Sequence, residues 1–295
     1  MAVKPLMLVQ APVATRSGYG NHSRDIVRSL IEMDKFDIKI ASLRWGNCAM
    51  NALDPNLPEH KMIIDRILTS QLNRQPDINV EIRVPNEFQR VGKYNIGITA
   101  GMETTLISPE WIEGCNRMDL VIVPSEHSKR TFLQSKWDKL QDMPNGQKQK
   151  IGELKIEKPI EVLFEGADTK IYKKTKDIPD TIKSTLDDIK ENYCFLYVGH
   201  WLRGELGQDR KDTGMLVKVF LETFKNKENP PALVMKTSGA TFSIIDRDDI
   251  MLKIENIKKS IEGAKTLPPI YFLHGDLTDE EMNGMYNHPK VKANV

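Results

Sequence analysis

Residues 197–212 read Tyr197-Val-Gly-His-Trp-Leu-Arg-Gly-Glu-Leu-Gly-Gln-Asp-Arg-Lys-Asp212 and join two segments of different periodicity. The run that leads into them, Cys194-Phe-Leu-Tyr-Val198, is apolar and short, which is typical of a buried parallel strand. Residues 213–224 then carry apolar side chains at helical spacing. The pattern predicts a strand-to-helix crossover, and ligands of open α/β sheets settle at the edge where such crossovers begin.

Two cations, Arg210 and Lys211, stand at the end of this loop, and two glycines, Gly204 and Gly207, precede them. Backbone N–H groups and the positive end of a helix attract anions, and fixed cations strengthen that attraction. The loop is therefore predicted to hold a diphosphate. The alternative is that the two cations are solvated side chains that happen to precede a helix.

Size and composition limit the class of protein. The chain has 295 residues, enough for two domains, and its net charge of +1 lacks the basic excess usual in proteins that bind duplex nucleic acid. Its three cysteines are odd in number and unevenly spaced, so we expect reduced side chains and not a disulfide framework or a metal site. No apolar run is long enough to span a membrane, and no cleavable signal opens the chain. We therefore expect a cytoplasmic protein.

The first half alternates apolar strands with amphipathic helices. Strands are predicted at residues 6–10, 37–42, 79–84, 95–99, 119–123 and 159–164, and helices at 21–32, 62–72, 109–118 and 126–132. Ser125 is a suitable N-cap for the last of these helices. The polar segment 141–158 is predicted to be an exposed, mobile insertion.

The lysine-rich segment 165–179 marks the predicted junction between two domains, residues 1–168 and 169–295. The second half is predicted to repeat the alternation, with strands at 194–198, 232–236, 270–273 and 291–295, and helices at 181–190, 213–224, 246–261 and 279–286. The final strand has no covering helix after it, so we expect the second domain to be incomplete. Two such halves in series predict a cleft between them that holds a nucleotide.

The loop at residues 15–22 carries Gly18 and Gly20 ahead of the first helix. Gly18-Tyr-Gly-Asn-His-Ser23 approaches the dinucleotide fingerprint G-x-G-x-x-G, but no acidic residue closes the second strand to bind a ribose hydroxyl. We therefore expect a flexible loop at a helix N-terminus, close to ligand. A loop shaped only for a turn is the alternative, and His22 is expected to be structural.

Other polar residues are expected near strand ends. Glu103 is suited to act as a base or to hold a hydroxyl-bearing acceptor, although it also fits a helix cap. His127, in the first turn of a helix, is expected to be structural. Asp246 and Asp248 imitate the Asp-x-Asp signature of metal-dependent sugar transfer, but acidic residues in a first helical turn complement the helix dipole, and we prefer that interpretation. No His/Cys spacing predicts a zinc site.

Taken in order, these segments resemble the two-domain glycosyltransferases of the GT-B fold, in particular the group of family 4. The matching pieces are Ser17-Gly-Tyr-Gly20, Glu103 with Pro109-Glu-Trp111, Asp119-Leu-Val-Ile-Val-Pro-Ser125, Val162-Leu-Phe-Glu-Gly-Ala-Asp168, Val198-Gly199 with Arg210-Lys-Asp212, and His274-Gly-Asp-Leu-Thr-Asp-Glu-Glu281 ahead of Met285-Tyr286. The resemblance implies an α/β protein with two Rossmann-like domains that face each other across a cleft. It also implies a nucleotide-diphosphate sugar as donor, with no metal and no further cofactor.

The resemblance assigns roles to single residues. Arg210 and Lys211 would bind the diphosphate and stabilise its charge as the sugar leaves, and Glu103 would lie on the acceptor side. The residues expected to bind the donor are Gly18, Gly20, Gly199, Arg210, Lys211, Lys236 and His274. The family's paired glutamates in a glycine-rich loop have no counterpart before Val295, which leaves open whether this chain alone is active.

Two other functions fit the same pattern. One is a non-catalytic module that binds a nucleotide or a glycan, and the other is a sugar-nucleotide epimerase, which shares the two-domain architecture. The acceptor of a transferase stays open among a glycan, a lipid, a protein and a nucleic-acid component.

Overall fold

A computed structural model describes residues 3–102, 104–143, 148–202, 206–239 and 241–295 of the chain. The chain divides into two compact units, Met1–Gly166 (unit 1) and Ala167–Val295 (unit 2). Glu103 and Gly204, both singled out from the sequence, lie outside the described residues. The predicted cleft between the two halves stays a prediction.

Unit 1 is built on parallel strands and the helices that follow them. Its strands are β1 (Leu6–Ala11), β2 (Asp37–Ser42), β3 (Ile78–Ile82), β4 (Tyr94–Ile98), β5 (Leu120–Val123), β6 (Trp137–Asp142), β7 (Lys148–Leu154) and β8 (Ile160–Val162). Its helices are α1 (Gly18–Glu32), α2 (Pro58–Ile64), α3 (Pro109–Asn116) and α4 (Glu126–Gln134). Six strands form one parallel sheet in the order β2-β1-β3-β4-β5-β8, and β6 pairs with β7 in a separate antiparallel hairpin.

The core of unit 1 explains why α1 lies on this sheet. Val27 and Ile31 of α1 are buried against Val9 of β1 and Ile40 of β2. Burial of such side chains contributes about 1.5–3 kcal/mol each. The strand order reverses between β1 and β3, so the carboxyl end of β1 lies at a topological switch point, where α/β proteins place their ligands.

Unit 2 has a smaller parallel sheet. Its strands are β9 (Cys194–His200), β10 (Ala232–Ser238), β11 (Ile270–Leu273) and β12 (Val291–Asn294), and its helices are α5 (Asp180–Asp187), α6 (Thr213–Phe224), α7 (Ile244–Lys259) and α8 (Asp279–Asn287). The strands follow the order β11-β10-β9-β12, all parallel, which corresponds to the order 3-2-1-4 of a Rossmann fold. The switch point of unit 2 is therefore the carboxyl end of β9.

Serine caps move two helix starts away from the predicted positions. Ser17 accepts a hydrogen bond from the Gly20 amide, so α1 begins at Gly18, and the prediction of a flexible loop at Gly18 and Gly20 is wrong. Ser243 caps α7 in the same way, so this helix begins before Asp246. Ser125 caps α4 as predicted.

Two segments of unit 1 also differ from the prediction. Helix α2 lies at Pro58–Ile64, earlier in the chain than the predicted 62–72, because Pro58 suits a first helical turn. The segment predicted as an exposed, mobile insertion contributes to β6 and contains β7, which form a ladder with one register shift. Polar and apolar residues do not alternate regularly along this segment, so the sequence pattern did not indicate a hairpin.

Candidate functional site

The carboxyl ends of β9 and β10 lie side by side in unit 2. Gly199 is in register with Thr237, and His200 with Ser238. The His200 Nδ1 atom lies 3.2 Å from the Ser238 hydroxyl, and the Trp201 amide donates to the Ser238 carbonyl at 2.8 Å. These bonds fix the switch point at which a ligand is expected.

Gly199 makes room for a cation beside β9. A Cβ atom at this position would lie 3.1 Å from the Lys211 ammonium nitrogen and 2.8 Å from the Tyr197 hydroxyl. The Tyr197 hydroxyl in turn lies 2.7 Å from the Thr213 hydroxyl, which ties the start of α6 to β9. The structure therefore brings Gly199 and Lys211, two of the predicted donor-binding residues, together at the sheet edge.

Asp209 organises the loop before α6. Its side chain is nearly buried, with 8% of the residue exposed, and its carboxylate accepts hydrogen bonds from the Lys211 amide at 3.0 Å and the Thr213 amide at 2.7 Å. Its carbonyl also accepts from the Asp212 amide at 2.9 Å. The expectation that backbone N–H groups at this helix end point to a ligand is therefore wrong for these three amides.

The backbone turns sharply between the two predicted catalytic cations and α6. Asp212 has a φ of 52°, in the left-handed region that residues other than glycine rarely adopt. Strained backbone of this kind persists where the surrounding structure fixes it, and it clusters at functional sites. The side chains of Arg210 and Lys211 are both exposed. Exposure is expected both for a solvated pair and for a pair that binds a ligand, so it does not distinguish the two interpretations.

The edge is electropositive around His200. The pKa of His200 is lowered mainly by burial, and the positive charges of Lys211 and Lys236 lower it further. The Lys236 ammonium also lies 4.7 Å from the centre of the Phe242 ring, a cation–π distance. Lys236 and Lys211 thus both lie close enough to His200 to affect its pKa, and their role in binding a donor stays a prediction.

Asp246 connects the ends of β10 and β11. Its two carboxylate oxygens lie 2.9 and 3.0 Å from the Gly239 amide, and one of them lies 3.1 Å from the His274 Nε2 atom. A Cβ on Gly239 would lie 2.3 Å from this carboxylate, so a larger residue there would displace the Asp246 side chain. Asp246 therefore does more than complement the dipole of α7, whereas Asp248 bonds to Arg247 at the surface. The position of Gly239 directly after β10 was the sequence signal for this contact.

His274, predicted to bind the donor, is positioned by this carboxylate and by two rings. The centroids of Phe242 and Phe272 each lie 5.5 Å from the His274 ring centroid. Because β10 and β11 are parallel and in register at Lys236 and Leu273, His274 lies at the same sheet edge as Lys236.

In unit 1, the two predicted glycines have different surroundings. A Cβ on Gly20 would lie 2.1 Å from the Thr15 carbonyl oxygen, so Gly20 lets α1 approach the preceding loop. A Cβ on Gly18 would meet no atom within 4 Å. The fold explains Gly20 without a ligand, and a ligand-binding role of either glycine stays a prediction.

The remaining candidates have structural contacts. The His22 Nδ1 atom lies 3.6 Å from a Glu165 carboxylate oxygen, and the His127 Nε2 atom lies 3.3 Å from the Thr104 carbonyl. Cys48, Cys115 and Cys194 are all free thiols, as predicted, and burial raises the pKa of Cys115 to about 12.

The described residues contain neither a metal-binding cluster nor a membrane-spanning helix. In that part of the chain, no group of three or more His, Cys, Asp or Glu side chains is arranged to hold a metal ion. Among the helices described, none is both long enough and apolar enough to cross a membrane. Metal independence stays a prediction.

Sequence comparison and structural comparison give different results. No family model and no curated protein sequence matches the chain. Solved structures do match, including a UDP-forming alpha,alpha-trehalose-phosphate synthase from Burkholderia xenovorans, with a TM-score of 0.55 and 12% identity over 96% of this chain and 76% of that one. HepE from Anabaena, solved in complex with UDP-glucose, matches with a TM-score of 0.53 and 13% identity over 93% of this chain and 70% of that one.

A third structure, OtsA without ligand, matches with a TM-score of 0.51 and 13% identity over 95% of this chain and 75% of that one. These neighbours are GT-B glycosyltransferases. At such low identity the likeness establishes the fold alone. The chain has the GT-B type of α/β fold, as the resemblance in its sequence implied.

Proposed function

We propose that the chain is a glycosyltransferase whose donor is a nucleotide-diphosphate sugar held at the carboxyl edge of the unit 2 sheet. Two of the neighbours with this fold support uridine diphosphate as the nucleotide, because one is named as UDP-forming and the other was solved with UDP-glucose. The acceptor is a hydroxyl compound.

The observation that carries the proposal is the group of cations at the switch point of unit 2. Lys211 lies beside Gly199 near the end of β9, Lys236 lies on the neighbouring strand two residues before its end, and both lower the pKa of His200. Arg210 precedes Lys211 directly in the chain. The positive charge of these three side chains favours a nucleotide ligand that carries two phosphates.

In the proposed reaction, the bond between the anomeric carbon and the diphosphate oxygen breaks, and a bond from the acceptor oxygen to the same carbon forms. The acceptor hydroxyl releases its proton to the solvent, and the leaving diphosphate keeps the electron pair of the broken bond and gains negative charge. Arg210 and Lys211 stabilise that charge, which is greater in the transition state than in the bound donor. The Asp209 contacts hold the backbone of Lys211 and Asp212 in place before the donor arrives.

The test is to incubate the chain with UDP-glucose, UDP-galactose and UDP-N-acetylglucosamine, with and without a panel of glycan, lipid, peptide and nucleoside acceptors. We expect UDP release that depends on an acceptor and persists in EDTA. Binding of UDP-sugars without release would identify a non-catalytic module, and interconversion of the sugars without an acceptor would identify an epimerase. Absence of UDP binding would contradict the proposal.

A further inference from the structure

The carboxyl edge of the unit 1 sheet carries a stacked aromatic pair that the proposed donor site does not use. The ring of Tyr19, in the first turn of α1, and that of Trp45, in the loop after β2, have centroids 3.9 Å apart and an interplanar angle of 23°. Tyr19 packs against the core of unit 1, whereas Trp45 belongs to none of the core clusters formed by the described residues. Trp45 is thus an aromatic ring held outside the core by a second ring.

Tyr19 is fixed at the end of β4. Its hydroxyl lies 3.0 Å from the Thr99 hydroxyl and accepts a hydrogen bond from the Ala100 amide at 3.1 Å. Because α1 holds its backbone and the two residues after β4 hold its hydroxyl, the ring has little freedom to turn. A rigid ring binds a flat ligand with a smaller loss of side-chain freedom than a mobile one.

The loop that carries Trp45 is also held in place. Three backbone hydrogen bonds join it to β1 and to the loop after β1. The Leu43 amide donates to the Ala11 carbonyl at 3.0 Å, the Arg16 amide to the Ala49 carbonyl at 2.9 Å, and the Ala52 amide to the Ala14 carbonyl at 3.0 Å. The Arg16 guanidinium adds bonds to the side chain and carbonyl of Asn51. The aromatic pair is therefore preorganised from both sides.

Small, exposed residues surround the pair. Gly18 and Ala100 beside Tyr19 are exposed, and so is Gly46 beside Trp45. A side chain on Gly18 would enter open space, because no atom lies within 4 Å of a Cβ built there. The Trp45 side chain is half-buried, and its two neighbours in the sequence, Arg44 and Gly46, are both exposed.

We propose that the Tyr19–Trp45 pair is a stacking platform for the pyranose ring of a carbohydrate acceptor, an inference that rests on the proposed function. A pyranose presents a face of C–H groups that packs flat on an indole, and hydroxyl groups around its rim. The exposed side chains of Arg44 and Asn47, on the same loop as Trp45, are donors suited to those hydroxyls. A nucleobase also stacks on indole, but its ring has no hydroxyl to receive the sugar.

The test is a titration of the full chain with methyl β-D-glucopyranoside, maltose and uridine, followed by saturation-transfer NMR. The variants are Trp45→Ala, Trp45→Phe and the control Trp137→Phe, which changes a tryptophan on β6 outside this pair. UDP binding to each protein is measured by calorimetry as a separate readout, and thermal unfolding shows whether each variant is folded.

We expect at least one saccharide to bind, with the affinity lowered about tenfold in Trp45→Ala, lowered less in Trp45→Phe and unchanged in Trp137→Phe. UDP affinity should be equal in all four proteins. Three outcomes would overturn the inference without bearing on the donor site. They are saccharide binding of equal affinity in wild type and Trp45→Ala, binding of uridine alone at Trp45, and no saccharide binding to wild type. Loss of UDP binding in wild type would instead count against the proposed function.

Discussion

Replacing Asp209 with alanine is expected to destabilise unit 2 more than any surface substitution there. The carboxylate accepts from the Thr213 amide at 2.7 Å in a buried bond and from the Lys211 amide at 3.0 Å in a partly buried one. A hydrogen bond to a charged group contributes about 1.5–3 kcal/mol, and a more exposed one less because water replaces the partner. Their sum predicts that Asp209→Ala lowers the free energy of unfolding by about 2–4 kcal/mol.

The measurement is urea unfolding followed by circular dichroism, together with hydrogen exchange of peptides that cover α6. Exchange localises the effect, because the amides at the start of α6 should lose protection while those of β1 in unit 1 keep theirs. Asp209→Asn retains one acceptor oxygen and should lose about half as much stability as the alanine variant.

Asp248→Ala is the matched control, since this acidic residue is exposed and bonds to Arg247 at the surface. Its expected effect is within about 0.5 kcal/mol of wild type. The reasoning is refuted if Asp209→Ala unfolds with the same free energy as Asp248→Ala and leaves the exchange of α6 unchanged.

Two further predictions concern stability. Gly20→Ala should lower the free energy of unfolding by about 1–3 kcal/mol, because its Cβ would clash with the Thr15 carbonyl. Gly18→Ala is the control and should leave the free energy of unfolding unchanged, because there is open space around this position. Equal urea midpoints for the two variants would contradict this prediction. Burial lowers the pKa of His288 from 6.5, and this effect outweighs the nearby Asp187 carboxylate, which raises the pKa. As the pH falls, His288 is therefore protonated in the unfolded chain before it is protonated in the folded one. Stability should therefore be retained above about pH 6.5 and decline below it, and urea midpoints of His288→Asn should change less with pH than those of wild type.

Continuous apolar runs made most of the parallel strands predictable. Runs such as Cys194–Val198 and Leu120–Val123 are buried or half-buried at every position, which favours apolar residues at successive positions and leaves little choice of structure. The helix starts were harder, because Ser17 and Ser243 cap their helices through bonds that depend on the local turn, and the sequence offers other polar residues nearby.

The site was predictable only where charge and glycine marked it. Arg210 and Lys211 stand out in the sequence, but Asp209 beside them does not, because its importance arises when the loop folds back and places two amides on its carboxylate. Asp246 is a similar case, since its bond to His274 joins residues far apart in the chain. Spacing along a sequence does not encode such contacts.

The most direct test of the donor site is UDP binding, measured by calorimetry, to the variant with both Arg210→Ala and Lys211→Ala. Loss of two charge-assisted contacts should weaken binding by about 2–4 kcal/mol, or roughly thirtyfold or more in Kd. Lys227→Ala, in the exposed loop after α6, is the control and should bind as wild type does. A double variant that binds UDP with the wild-type Kd would contradict the assignment of the diphosphate to these two cations.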